Sequence, residues 1–229
     1  MEFTFLMPCL NEEKSLGFCI NEAKSAIERL GLCAEILVSD NGSTDGSVKI
    51  ALDNGARVVS TPEKGYGSAL MCGIKAAKGD FIIMGDCDGS YDFAHPDLFI
   101  DELRCGAKLV VGNRFSGGIE KNAMPLSHYM GVFFLSALAR LRFKTDIFDF
   151  HCGLRAFDRK TALKLGFTCT GMEFATEIIA KFARSGEKTA QVPTPLRKDL
   201  RNGRSHLRTV RDGFRHLKFI LFYKDNNWR

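Results

Sequence analysis

The chain has 229 residues, of which 45% are hydrophobic and 26% charged, enough to bury a sizeable core and too apolar for a disordered protein. No stretch offers the roughly 18 uninterrupted apolar residues of a membrane span, and the opening FTFLMP reads as a strand, unlike the start of a secretory leader. The eight cysteines contain no C-x-x-C pair and mostly lie in apolar segments, which argues against a zinc site or disulfide framework and for a reducing cytoplasm.

In chain order, FTFLMP (3–8), AEILVSD (34–40), ARVVST (56–61) and DFIIMGD (80–86) read as strands. Helix-period segments at 15–30, 44–54 and 66–78 separate them, with Ser43, Thr44 and Asp45 as candidate caps for the second. Strict alternation of this kind predicts βαβ units, a parallel sheet and helices on both faces. Ligands of such sheets bind at the carboxyl ends of the strands. Those ends carry PCLNEE, SDNGSTDG, PEKGYG and GDCDGSYD, so one edge of the sheet collects Asn, Asp, Lys and Gly. A fifth strand in KLVVGNRFSGG (108–118) leads to Arg114 and a Gly-Gly turn. Helices at 127–142 and 171–185, strands at 154–157 and 187–193, and a long helix from about 206 to 223 complete the reading.

Two features point to chemistry. Asp86-x-Asp88 ends an apolar strand, and carboxylates two residues apart on extended backbone project to one side, where a hard divalent cation relieves their repulsion. Between 197 and 218, eight Lys or Arg face only Asp199 and Asp212, a net of +6 in a chain whose total is +5. That imbalance calls for an anionic partner or a solvated helix face. Gly65-x-Gly67 is not a dinucleotide fingerprint, because Leu70 stands where the third glycine belongs and the pair follows the third strand.

The segments PCLNEE, VSDNGSTDG, KGYGSALMCGIKAAKGD, MGDCDGSYD and GNRFSGG, in this order and spacing, resemble the family 2 inverting glycosyltransferases of the GT-A fold. Within that family the chain is most similar to the dolichyl- and polyprenyl-phosphate hexose (mannose or glucose) synthases. The similarity continues through DFHCGLRAF (149–157), GMEFATEIIAK (171–181) and RNGRSHLRTVRDGFRHL (201–217), so it covers nearly the whole chain. It implies an α/β GT-A catalytic domain over 1–200, with a Rossmann-like, mostly parallel twisted sheet, then a basic acceptor loop and amphipathic helix over 201–229. The implied reaction is Mg²⁺- or Mn²⁺-dependent transfer of a hexose from a nucleotide diphosphate sugar to a polyprenyl phosphate (dolichyl or undecaprenyl).

Residue by residue, the resemblance puts Pro8, Leu10, Asn11, Glu12, Asp40, Lys64 and Gly65 around the nucleotide, Asp40 accepting from the base. It sets Asp86 toward ribose and metal, Asp88 and Ser90 on the metal, and Arg114 and Arg204 on the leaving diphosphate. Arg155, Arg204 and Ser205 fall to the acceptor phosphate. Ser90 replaces the glutamine of mannose synthases of this type, and Asn41 a second acid of many relatives, so the base stays open.

A hydroxyl acceptor needs a carboxylate to take its proton, whereas a polyprenyl phosphate arrives with an anionic oxygen. The acceptor side is basic, with Arg155, Arg201, Arg204 and His206 around the point where CGLRAF and RNGRSH should converge, in keeping with the second. The alternatives are a transferase acting on a saccharide or other hydroxyl, and a noncatalytic nucleotide-sugar binding module, which donor turnover would separate. His151 and Cys152 are neighbours on extended backbone and point apart, which disfavours a nucleophile pair. Glu173 and Glu177 lie one helical turn apart, either aiding catalysis or steadying a packed helix. In the last helix Leu207, Val210, Phe214, Leu217 and Leu221 form an apolar stripe beside Arg208, Arg211, Arg215 and Lys218. Such a helix either packs on the catalytic domain or lies on an anionic bilayer, which would make the protein peripheral at the cytoplasmic face of a membrane. No nucleic-acid partner is expected.

Overall fold

All seven residues of FTFLMPC, which form β1 (Phe3–Cys9), are buried, as in a strand covered on both faces. The computed structural model describes residues 1–201 and 209–223, with the side chains of 209 and 210 excepted. From β1 the chain alternates through α1 (Leu16–Leu30), β2 (Ala34–Asp40), α2 (Ser47–Asp53), β3 (Arg57–Ser60), α3 (Tyr66–Ala76) and β4 (Phe81–Met84). There follow α4 (Asp97–Arg104), β5 (Leu109–Asn113), α5 (Arg114–Gly117), α6 (Leu126–Phe143), β6 (Arg155–Asp158), α7 (Arg159–Leu165), α8 (Phe174–Arg184), β7 (Thr189–Pro193) and α9 (Thr209–Phe222).

The seven strands make one sheet in the order β3-β2-β1-β4-β6-β5-β7. Every pairing is parallel except those of β6, which runs antiparallel between β4 and β5. The mostly parallel α/β sheet expected from the alternation is thus present. β6 begins where β4 ends, Arg155 opposite Met84, so the chain entering β6 passes the end of the acid-bearing strand.

Local differences have local causes. Asp45 caps from one residue before Gly46, its Oδ1 accepting from Ser47 N (2.9 Å) and Oγ (2.5 Å), so α2 begins at Ser47 rather than at 44. Between Arg114 and the expected Gly-Gly turn, Asn113 Oδ1 accepts from Phe115 N (3.0 Å) and Ser116 N (3.3 Å) and starts the short α5, which ends at Gly117 with Gly118 at φ 97°. Helices α4 and α7 were not anticipated. The first buries Phe99, Ile100 and Leu103, the second only Ala162, and Asp158 caps α7 through Thr161 N (2.7 Å).

Helix α9 packs across α6 and α8, but on a face other than its expected apolar stripe. The docked residues are Asp212, His216, Phe219 and Ile220. His216 Nδ1 lies 2.7 Å from Thr176 Oγ1, its ring meets that of His151 edge-on at 4.6 Å, and Arg215 donates to Glu173 Oε1 (2.7 Å). On the stripe, Phe214 is 68% and Leu221 48% exposed, with Phe222 beside them at 71%. Polar groups staple the helix down and leave its greasier side outward.

Candidate active site

The site grows from the carboxyl ends of β1, β2 and β4. After β1 the chain turns through Asn11, whose φ of 57° is left-handed, a conformation asparagine tolerates. Asn11 N donates to Ser43 Oγ (2.9 Å), Asn11 Oδ1 accepts from Thr44 N (2.8 Å), and Glu12 N donates to Ser47 Oγ (2.8 Å). These bonds lock the first loop to the second. Asp40 is buried, and its carboxylate accepts from Gly42 N (2.9 Å) and Ser43 N (3.2 Å), organising its own turn. Asn41 joins the second loop to the third, donating to Glu63 O (2.8 Å) and accepting from Gly65 N (2.7 Å), while Lys64 Nζ donates to Asn41 O (2.9 Å). Asparagine does here what an acid cannot, since one amide both donates and accepts. The glycines of KGYG serve close packing: a Cβ on Gly65 would stand 2.1 Å from Thr170 O, and one on Gly67 2.0 Å from Cys169 O.

The loop after β4 holds the acids. Gly89, at φ 84°, turns the chain directly behind Asp88, so Ser90 N (2.9 Å) and Ser90 Oγ (2.5 Å) both donate back to Asp88 Oδ1. The other oxygen, Asp88 Oδ2, accepts from Arg201 Nη2 at 2.6 Å, and Arg201 Nη1 donates to Glu12 Oε1 at 3.0 Å. Asp86 is half-buried beside Gly153, where a Cβ would come within 2.4 Å of Asp86 Oδ2. Gly153 N donates to the Tyr91 hydroxyl (2.8 Å), which fixes that close approach. Pro8 contributes its carbonyl, which accepts from Cys87 Sγ (3.1 Å), and Leu10 lies half-buried at the rim.

Burial raises the Asp86 carboxyl to about 6, with the Asp88 charge adding to it and the Tyr66 hydroxyl opposing. Glu12 is pushed up to about 7 by burial, Arg201 pulling the other way and Asp88 adding to the rise. Burial works against the charge of Arg201, and Asp88 and Glu12 outweigh it, so its pKa rises.

The loop ends therefore bring together Glu12, Asp86, Asp88, Ser90 and Arg201, with Asp40, Lys64 and Gly65 in the adjoining turns. Two arginines expected at the site turn inward. Arg155 is fully buried, its Nε, Nη1 and Nη2 donating to Cys152 O (2.8 Å), Ala175 O (2.7 Å) and Phe150 O (2.9 Å). A guanidinium so committed ties three backbone carbonyls together, two before β6 and one in α8, and all three of its nitrogens are spent on them rather than on an acceptor phosphate. Arg114 is buried against Asp149, with Nε to Oδ2 at 2.7 Å and Nη2 to Oδ1 at 2.8 Å, a bidentate pair in place of a free diphosphate contact. Ser90 steers Asp88 through its hydroxyl proton where a metal ligand was expected. Arg204 and Ser205 lie outside the described residues. Glu177 is buried and accepts from Thr168 N (2.9 Å) and Cys169 N (2.9 Å), so of the two readings for this acid the structural one holds.

Asp149 and Tyr91 carry no role in the sequence reading. Arg201 is expected there among the basic residues of the acceptor side, and the structure sets it instead on Asp88 and Glu12, acids more than a hundred residues away that no local pattern pairs with it.

A mostly parallel sheet with its acids gathered at the carboxyl ends of the strands is an α/β fold of the kind that takes its ligand at that edge. The model of Glycosyl transferase family 2 matches residues 4–166, and the chain belongs to that family. It is 35% identical over 94% of its length to the low-salt glycan biosynthesis hexosyltransferase Agl6 of Haloferax volcanii, and spans about half (52%) of that protein. It is 29% identical to the dolichyl-phosphate hexose transferase of the same organism, covering 86% of this chain and 85% of that one. Among solved structures, glucosyl-3-phosphoglycerate synthase of Mycobacterium tuberculosis, in complex with Mn²⁺, UDP and phosphoglyceric acid, superposes with a TM-score of 0.72 at 24% identity, over 98% of this chain and 80% of that one. This last likeness bears on the fold.

Proposed function

We propose that the protein transfers a hexose from a nucleotide diphosphate sugar to a polyprenyl phosphate at the cytoplasmic face of a membrane, with Mg²⁺ or Mn²⁺ at Asp88 and Asp86. The observation that carries the donor half is the convergence of Asp86, Asp88 and Glu12 at the ends of β1 and β4. The donor set is all hard oxygen, and Ser90 presets the Asp88 carboxylate with one oxygen turned to a cation. One or two carboxylates suffice for a small dication that takes its remaining ligands from phosphates. The metal, when bound, neutralises charge building on the departing diphosphate. The protein's own part is to fix Asp88 through Ser90, hold Asp86 against Gly153 and Tyr91, and lock the first two loops into one wall for the nucleoside. Arg204 and Ser205 are assigned to the acceptor phosphate.

The acceptor half is supported by the outward faces of α6 and α9, which touch each other. Leu126, Met130, Phe133 and Phe134 on α6 and Phe214, Leu221 and Phe222 on α9 are exposed, with Arg211 and Lys218 alongside. Exposed apolar helix faces bordered by cations fit a bilayer surface. No helix among the described residues is long and apolar enough to cross a membrane. A lipid phosphate also brings its own anionic nucleophile, so the reaction needs no acid of the site to take a proton from it. The name of the Haloferax dolichyl-phosphate hexose transferase agrees with this acceptor class.

The test uses UDP- and GDP-hexoses with Mn²⁺, scored by thermal protection and then by transfer to a short polyprenyl phosphate in anionic vesicles. Protection by one donor, lost in Asp88→Asn, and transfer to the lipid phosphate are expected. Equal protection in Asp88→Asn refutes the metal assignment. Faster transfer to a soluble saccharide than to any polyprenyl phosphate refutes the acceptor.

A further inference from the structure

Arg201 is the cation that the acid cluster already has. Its guanidinium bridges Asp88 Oδ2 (2.6 Å) and Glu12 Oε1 (3.0 Å), and Asp199 Oδ2 stands 3.8 Å from the same Nη2. The Nε has no hydrogen-bond partner among the described residues, so the two acids aim the fork, with Asp199 the further carboxylate beside it. The backbone beneath it is fixed independently: Leu200 N donates to Asp88 O (2.8 Å) and Arg197 N to Ser90 O (2.9 Å). The Leu200 side chain closes over Gly89, where a Cβ would meet it at 2.7 Å. The strap therefore stays in place while the arginine side chain can turn.

The geometry points to an exchange: Arg201 holds the cation position at Asp88 and is displaced by the metal, its guanidinium passing to the diphosphate. This rests on the metal and donor reading above. Asp88 Oδ1 is already filled by two donors from Ser90, so Oδ2 is the oxygen left for a dication. One oxygen cannot keep a guanidinium at 2.6 Å and bind a metal at about 2 Å without bringing two like charges into contact. An incoming diphosphate supplies the anion that Arg201 loses, and a planar fork suits it. Metal alone must compete with the arginine, whereas metal and diphosphate together relieve it. The site is thus built to favour joint loading over capture of a bare dication.

The experiment measures Mn²⁺ binding by the free-ion paramagnetic resonance signal, without nucleotide, and then UDP and GDP binding with Mn²⁺ by calorimetry. Arg201→Met removes the competing charge and keeps the bulk, and Arg201→Lys keeps a charge without the fork. Expected is opposite movement: Arg201→Met binds Mn²⁺ alone more tightly and the diphosphate with Mn²⁺ more weakly, each on the order of tenfold, the scale of one charge-assisted hydrogen bond. Arg201→Lys should fall near the parental value for Mn²⁺ alone and remain impaired for the diphosphate. Weaker or unchanged Mn²⁺ binding in Arg201→Met overturns the exchange, because an arginine that merely positions Asp88 weakens both ligands when removed. If the parental protein binds neither Mn²⁺ nor either diphosphate, the functional reading fails and the exchange fails with it. A cooperative urea transition in each variant shows that the comparison is between folded proteins.

Discussion

Replacing Asp149 with asparagine is the sharpest probe of why Arg114 stands where it does. Asp149 is fully buried and takes four N–H groups: Arg114 Nε (2.7 Å), Nη2 (2.8 Å) and N (3.2 Å), and His151 N (3.1 Å). An amide in its place presents its own NH₂ to these donors and removes the only carboxylate against the guanidinium among the described residues. Breaking one partner of a buried ion pair costs about 3–5 kcal/mol, because the remaining charge is left without compensation. In a chain of this size each 1 kcal/mol moves the melting midpoint by about 2–4 °C, so the variant should melt on the order of 10 °C lower. Urea denaturation followed by circular dichroism at pH 7.5 measures the loss directly. The double variant Asp149→Leu with Arg114→Met, which discards both charges, should recover much of it, since the cost lies in the orphaned ion. If Asp149→Asn unfolds within about 1 kcal/mol of the parent with the same slope in urea, the pair is not structural. Arg114 would then be available to the diphosphate after all.

Arg155→Lys should also destabilise, by about 2–4 kcal/mol, since one ammonium cannot reach three carbonyls fixed for a planar fork, and the acceptor KM of the surviving folded enzyme should stay within about twofold. A large rise in acceptor KM without loss of stability would return Arg155 to the acceptor site. His216 is held near 4 by burial, with His151 packed edge-on against it, while an unfolded histidine titrates near 6.5. Its pKa is lower in the folded state, so the docked neutral form contributes fully above pH 6.5 and is lost as pH falls toward 4, about 3 kcal/mol in all. Urea midpoints between pH 7.5 and 4.5 should fall more steeply in the parent than in His216→Gln; equal slopes would show that this histidine does not tie α9 down.

What the sequence revealed and what it concealed divide along physical lines. Strands β1, β2 and β4 and the helices between them were legible because both faces of the sheet are covered, which leaves unbroken apolar runs against helix-period segments. The D-x-D pair at the end of β4 was legible for the same reason, as acid where apolar residues stop. For the arginines, sequence shows charge without direction. Arg155 sits in LRAF, inside a strand, and such a charge is more economically satisfied by backbone carbonyls than by a ligand. Arg114 follows β5, and its partner Asp149 is 35 residues away across α6. Of the apolar stripe of α9, Leu207 and the Val210 side chain lie outside the described residues, Leu217 is half-buried, and Phe214 and Leu221 face outward; the docked face is hidden from periodicity because it carries Asp212 and His216, which count as polar. Arg201 pairs with Glu12 across 189 residues, a distance over which no local pattern reaches.

The two halves of the proposed reaction meet in the segment that precedes β6. His151 takes the ring of His216 from α9, and Phe150 N donates to Ser136 Oγ of α6 (3.2 Å), so the two surface helices are both anchored there. Two residues later Gly153 lies against Asp86, with Tyr91 closing the gap, and Arg155 then clamps Phe150 and Cys152 from inside. A rigid run of five residues thus links the helices that would rest on lipid to the carboxylate that would face the donor. A Cβ at 153 would crowd Asp86 Oδ2 at 2.4 Å and the Tyr91 ring at 2.9 Å, and Arg155 holds the carbonyls of Phe150 and Cys152 from inside. A lipid phosphate delivered along α6 and α9 would then arrive at a height set by packing.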